Sequence, residues 1–204
     1  MALRILPFRQ YNETDVINMF ALESAYVNEA TTDSSFGDAG VFVTVANGDF
    51  NADPVTYATD AYLGKTDYPF VGANQYPSVS LKVKPAVSGN ALLGITLNQT
   101  AKTDENGEKL LYYPQKALEL QAVLPGQSVP VATRGVFTLA STAYNGALTI
   151  GGGVKLAVGA SGTVTGCAVS DANRVGLVIG TGSRTNGSTA DQFAGTYAVI
   201  ALGL

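Results

Sequence analysis

The chain has 204 residues, twelve Lys plus Arg against sixteen Asp plus Glu, no histidine and one cysteine, and only 14% of it is charged, well below the roughly 25% of an average soluble domain. The lack of histidine removes the usual general base of serine and cysteine hydrolases and the commonest nitrogen ligand of zinc, and the acidic balance withholds the basic field that contact with nucleic-acid phosphates requires. A surface so poor in charge favours association with other copies or with a larger partner, so an oligomer or assembly component is expected.

The first forty residues differ from the rest. Residues 1 to 11 carry Arg4 and Arg9 without an acid, among Leu3, Ile5, Leu6, Phe8 and Tyr11; then Glu13, Asp15, Glu23, Glu29, Asp33 and Asp38 follow without a base. This reads as a sticky, weakly basic tip on an acidic connector, or as the first strand and helix of the core. Asn12 can cap a helix, and Val16, Met19 and Phe20 share a face at helical spacing, which predicts a short helix from Asn12 to about Tyr26. The N-terminus lacks the apolar length of a signal sequence and no segment approaches the roughly 18 apolar residues of a membrane span, so the chain is expected to be made and kept in the cytosol or released by lysis.

Beyond Gly37 the pattern turns to strands. Val41 to Ala46 runs into Asn47-Gly48, a hairpin signal. Residues 50 to 77 form a Tyr-rich excursion, in which Tyr57, Tyr62, Tyr68, Phe70 and Tyr76 are either surface contact residues or a cover for one end of a barrel. Val79, Leu81 and Val83 then alternate with Ser80, Lys82 and Lys84, as a half-buried strand requires. Ala91 to Leu97 reads as a more apolar strand, Lys102 to Lys109 as a charged hairpin tip around Asn106-Gly107, and Leu110 to Tyr113 and Leu118 to Val123 as further sheet. Asn145-Gly146, Gly151 to Gly153, Gly159 to Gly162 and Gly180 to Gly182 each mark a reversal, and Thr196 to Leu202 closes the chain as a strand. The expected fold is all-β, a compact barrel or sandwich over residues 37–204, with an extended N-terminal arm and one short helix in residues 1–36.

A weak internal echo exists. Leu92-Leu93-Gly94-Ile95-Thr96-Leu97 resembles Arg174-Val175-Gly176-Leu177-Val178-Ile179, each with one glycine inside an apolar run, where a missing side chain permits a bulge or a close backbone approach. The two segments read as corresponding strands of one barrel.

The motifs that carry chemistry nearly form and then fail. Asp49-Phe50-Asn51-Ala52-Asp53 with Asp60 imitates a calcium loop, but Pro54 stands where the sharp bend needs glycine. Gly64-Lys65-Thr66 imitates the end of a phosphate loop without its first glycine, and Gly180-Thr181-Gly182-Ser183-Arg184 could make a small anion nest but, with no helix pattern after it, reads as an ordinary loop. Paired carboxylates could still cleave glycosides if two of them met in a cleft, which sequence spacing does not show, and most of these acids lie in turns, where solvated charge is the default. Cys167, in a Gly/Ala/Val setting, reads as a small buried hydrophobe. No catalytic, metal or cofactor site is expected.

Residues 78 to 204 resemble the capsid decoration, or cement, proteins of tailed bacteriophages. The resemblance is carried by Ala91 to Leu97, Gln127-Ser128-Val129-Pro130-Val131-Ala132-Thr133-Arg134-Gly135-Val136, Gly153-Val154-Lys155-Leu156, Gly159 to Thr165, and Val175 to Gly180. It implies a non-enzymatic protein, often trimeric, on the outer face of a virion head, clamping neighbouring major capsid subunits, assembled in the host cytoplasm and touching neither nucleic acid nor membrane. On that reading a homotrimeric barrel displays an arm, Leu3, Arg4, Ile5, Leu6, Pro7, Phe8, Arg9 and Tyr11, across an adjacent capsid subunit. A receptor- or glycan-binding virion surface protein, or a tail or head-fibre component, is the competing expectation, since fold does not settle function.

Overall fold

A computed structural model describes residues 4–29, 36–48, 79, 81–159, 162–184 and 194–203. The fold is all-β, and its described residues form two large open sheets and a small helical insert. Its strands are β1 (Ile5–Gln10), β2 (Val16–Ile17), β3 (Ala21–Leu22), β4 (Phe42–Asn47), β5 (Lys82–Pro85), β6 (Gly94–Thr96), β7 (Gln99–Thr100) and β8 (Ala122–Val123). They continue with β9 (Val131–Ala132), β10 (Gly135–Ala140), β11 (Tyr144–Asn145), β12 (Gly153–Leu156), β13 (Val164–Cys167), β14 (Gly176–Arg184) and β15 (Gly195–Leu202). Helix α1 spans Pro114–Glu119.

The seven-stranded sheet runs β1-β10-β15-β14-β12-β13-β11 and the six-stranded sheet β2-β9-β6-β4-β5-β3, with β7 and β8 as a separate pair. Neither sheet closes on itself, so the sandwich alternative holds and the barrel does not. Between the sheets lies the main core, where Phe42, Ile95 and Ala132 of the six-stranded sheet meet Phe137, Leu139, Val154, Leu156, Val164, Val178, Ile200 and Leu202 of the other. The six-stranded sheet is buried on its second face too: Leu22, Val43, Val83 and Val131, with the adjoining Val41 and Val129, are closed over by Phe20, Tyr26, Leu93 and Val123.

The two sheets repeat one topology. In chain order, β2, β3, β4, β5, β6 and β9 correspond to β10, β11, β12, β13, β14 and β15, and each of the five pairings in the first set recurs in the second with the same sense. Thus β2–β9, β9–β6, β6–β4 and β4–β5 are antiparallel and β5–β3 is parallel. Likewise β10–β15, β15–β14, β14–β12 and β12–β13 are antiparallel and β13–β11 is parallel. Register carries over as well: Val43 lies opposite Gly94 as Val154 lies opposite Gly176, and Ile95 opposite Ala132 as Leu177 lies opposite Ala201.

The glycine echo therefore marks equivalent strands of two sheets rather than two strands of one barrel, and the close approach it suggested is present. A Cβ on Gly94 would sit 2.3 Å from the Ala132 carbonyl oxygen, and one on Gly176 2.4 Å from that of Ala201. At both positions the neighbouring strand occupies the space a side chain needs.

Several local expectations are corrected. The helix predicted from Asn12 is absent: Asn12 Oδ1 does accept from Thr14 N at 3.3 Å, but only the short turns Glu13–Asp15 and Ser24–Tyr26 form. Val16 and Ile17 instead pair with Ala132 and Val131, a long-range ladder that overrides the local helical spacing. Residues 4–29 supply β1 to one sheet and β2 and β3 to the other, and are no separate arm. The expected sheet at Leu110–Tyr113 and Leu118–Val123 is mostly a turn at Leu110–Tyr112 followed by α1, which starts at Pro114, where a missing N–H costs nothing. Gly180 to Gly182 mark no reversal; they lie within β14, just after a bulge between Val178 and Gly180. Asn47 ends β4, but its partner is Lys82, so Asn47-Gly48 is no two-residue hairpin. The Lys102–Lys109 tip forms as expected: Asp104 Oδ1 accepts from the Asn106 and Glu108 amides at 2.9 and 2.8 Å.

Candidate functional site

The residues expected to grip a partner from the N-terminus divide into two groups. Ile5 and Leu6 are buried, Ile5 in the main core, because β1 pairs with β10 along Ile5↔Leu139 and Gln10↔Val136. Arg4 is buried as well: its Nε lies 3.9 Å from Asp38 Oδ2, while Asn28 Nδ2 donates to Asp38 Oδ1 at 2.7 Å and Gly37 N donates to Asn28 Oδ1 at 3.1 Å. These four residues tie the start of β1 to the 36–41 turn. Arg9 donates to the Leu97 carbonyl at 3.2 Å and lies over the Tyr11 ring, which stacks on Phe137. Pro7 and Phe8 are exposed, Phe8 at 70%. The anchors proposed for an outside partner are thus mostly spent inside the molecule, and Leu3 lies outside the described residues, as do Tyr57, Tyr62, Tyr68, Phe70, Tyr76 and the calcium-like and phosphate-loop-like motifs.

Among the described residues two further exposed apolar surfaces stand out, and sequence reading singled out neither. One is the insert between β6 and β9, where β7, the Leu110–Tyr112 turn, α1 and β8 enclose a small core of their own, Ala101, Leu110 and Ala117. The insert displays Tyr112, Tyr113 and Leu118, of which Tyr112 is 62% and Leu118 78% exposed. On α1, Lys116 pairs with Glu105 at 2.8 Å while Ala117 is buried and Leu118 faces outward. The hydrogen bond to Lys116 holds the Glu105 carboxyl below its ordinary range, and the same bond raises the Lys116 ammonium.

The second surface is the outer face of the seven-stranded sheet. Phe137, Leu139, Val178, Ile200 and Leu202 point into the core, so the alternate positions point out: Val136 and Thr138 on β10, Leu177 on β14, Tyr197, Val199 and Ala201 on β15. With the bulge residue Ile179, 49% exposed, these seven positions carry no charge; Arg184 stands beyond them at the far end of the β14–β15 hairpin. Farther along the same face Lys155 pairs with Asp171 at 2.7 Å, which raises the lysine and lowers the aspartate.

A cleft of about 330 Å³ lies between β1 and the insert, lined by Arg4, Leu6, Arg9, Leu97, Gln99 and Leu120, and its polar groups are engaged with the fold, Gln99 Nε2 donating to the Leu120 carbonyl at 2.7 Å. Among the described residues no cluster of three or more His, Cys, Asp or Glu could hold a metal ion, and no helix is long and apolar enough to cross a membrane. Cys167 is a free, half-buried thiol whose pKa burial pushes up, with Asp171 adding to the effect. Comparison of the chain with family models, with curated proteins and with solved structures finds no match.

Proposed function

We propose that the chain is a non-enzymatic decoration protein of a tailed-phage head, which binds the outer surface of the major capsid protein and braces neighbouring subunits. The resemblance of residues 78 to 204 supports this reading, as does the low charge of the chain. The observation that carries it is the insert, a small unit with a core of its own that exposes Tyr112, Tyr113 and Leu118 to solvent. Exposed tyrosine and large apolar side chains are what the centre of a protein–protein contact is made of. The grip is thereby moved from the N-terminal residues to the insert.

Attachment by a few such residues is individually weak, and repetition over a lattice raises occupancy through effective concentration. Purified chain mixed with undecorated heads should co-sediment with them and raise their resistance to heat or chelation-induced rupture. The double variant Tyr112→Asp with Leu118→Asp, changed only at exposed positions, should stay folded and lose that binding. Wild-type chain that leaves the heads bare would end the decoration reading; a double variant that coats them normally would end the insert's part in it.

A further inference from the structure

We propose that the outer face of the seven-stranded sheet is a self-association surface, on which a second copy of this chain packs the same face about a two-fold axis. The internal repeat supplies the argument. Each sheet has two faces, and register makes them comparable. Val16, Ile95 and Ala132 of the six-stranded sheet correspond to Val136, Leu177 and Ala201 of the seven-stranded one. In the six-stranded sheet this face is covered, Ile95 and Ala132 being fully buried beneath the other sheet. In the seven-stranded sheet Val136 is half-buried like Val16 and Ala201 buried like Ala132, but Leu177, the equivalent of the fully buried Ile95, is only half-buried and lies beside the half-buried Val199 and the exposed Ile179.

Inside the chain this kind of face is covered by the opposite apolar face of the other unit, that of Val154 and Ile200, whose equivalents in the first unit are Val43 and Val131. A second molecule has four such faces to offer. Two are buried against each other in its main core, and a third, that of Val43, Val83 and Val131, is closed by its own Phe20, Tyr26, Leu93 and Val123. The fourth is its own outer face around Leu177 and Val199. Sheet meets sheet, and the contact is isologous.

Charge agrees with that pairing. The seven positions Val136, Thr138, Leu177, Ile179, Tyr197, Val199 and Ala201 carry no charge and meet their own copy without like-charge repulsion, while Arg184 stands at the far end of β14 and Lys155 is paired with Asp171. Size sets the strength. Strands about 4.8 Å apart rising about 3.4 Å per residue give this face roughly 300 Å² in plan, below the roughly 800 Å² per partner of a standard interface. A weak dimer follows, in place of the trimer that the resemblance implies.

Sedimentation velocity of the full chain from low micromolar to several hundred micromolar tests this in the absence of any capsid. Wild type should shift from monomer to dimer with concentration, and Ile179→Asp, at an exposed position that the fold does not need, should raise the dimer dissociation constant at least tenfold. Val199→Asp should do the same, its folding checked by circular dichroism. A chain that stays monomeric, that forms trimers, or that dimerises equally well with both substitutions overturns the proposal. Monomers that coat heads would remove this inference and leave the decoration reading, while dimers that ignore heads would do the reverse.

Discussion

Alanine at Gly176 is the sharpest probe of the repeated architecture. The added Cβ would sit 2.4 Å from the Ala201 carbonyl oxygen, where ordinary contact begins near 3.4 Å. The obstacle is backbone of the adjacent strand, so it cannot rotate away. The strands must part where Gly176 faces Leu202 and Leu177 faces Ala201. Overpacking of a tight site costs about 1–3 kcal/mol, and each backbone hydrogen bond loosened by the separation adds about 0.5–1.5 kcal/mol. A total of about 2–4 kcal/mol, at about 2–4 °C per kcal/mol for a chain of this length, lowers the melting temperature by roughly 5–15 °C. Gly94→Ala meets the Ala132 oxygen at 2.3 Å in the equivalent strand and should cost as much. Gly182→Ala, in the same strand as Gly176 but with nothing within 4 Å of the added Cβ, should shift stability by no more than about 0.5 kcal/mol. Thermal and urea unfolding followed by far-ultraviolet circular dichroism reads all three. Equal midpoints for Gly176→Ala and Gly182→Ala would refute the close-approach argument, and a harmless Gly94→Ala beside a damaging Gly176→Ala would refute the equivalence of the two sheets.

Three further outcomes follow from the buried and paired groups. Arg4→Met leaves Asp38 buried without the guanidinium beside it and should destabilise the fold by about 3–5 kcal/mol in urea titrations; a loss under about 1 kcal/mol would show that the pair does not hold β1 to the 36–41 turn. The Asp171 and Glu105 carboxyls are lowered by Lys155 and Lys116, so the stability they contribute is present above the ordinary carboxyl range near pH 4 and fades as pH falls through their folded values. The two lysines are raised, so their share is complete below about pH 10.4 and fades as pH rises through the folded values. Lys155→Met should flatten both limbs in pH-dependent melting, and unchanged limbs would remove Asp171–Lys155 from the account. Burial raises the Cys167 thiol, so at neutral pH a disulfide reagent should label it several-fold more slowly than a free cysteine and catch up in denaturant; equal rates in the folded protein would contradict the shift.

Local chemistry was legible where it acts locally. Alternation at Leu81 to Lys84 matches a strand with Leu81 and Val83 buried and both lysines half-buried, and Asn106-Gly107 matches a turn closed by Asp104. What pairs with what was not legible. Ile5, Leu6 and Phe8 look alike as a run of greasy residues, and only the pairing of β1 with β10 decides that the first two are core while Phe8 faces water. Arg4 gains its partner from the 36–41 turn, and Val16-Ile17 gains its strand from Val131-Ala132, both through contacts that no window of sequence contains. The insert was misread because Leu110 to Val123 is apolar enough for strand, while Pro114 at the first helical position was the signal that could have placed α1.

The outer face of the seven-stranded sheet did leave a trace in the sequence. A sheet with one wet face alternates apolar and polar residues, and a strand covered on both faces reads as a continuous apolar run. Gly176-Leu177-Val178-Ile179 and Ala198-Val199-Ile200-Ala201-Leu202 are runs of the second kind. Within one chain Val178, Ala198, Ile200 and Leu202 are buried on the core side, whereas of the larger side chains on the other side Leu177 and Val199 are half-buried and Ile179 is exposed, only the small Ala201 being buried there. In the six-stranded sheet the corresponding strands are covered on both sides, as their Ile95, Val131 and Ala132 show. Sequence pattern and repeated topology thus point, among the described residues, to the same deficit, one missing layer against β10, β15 and β14, and of the four sheet faces that a second molecule offers, the one left open is the face that lacks this layer.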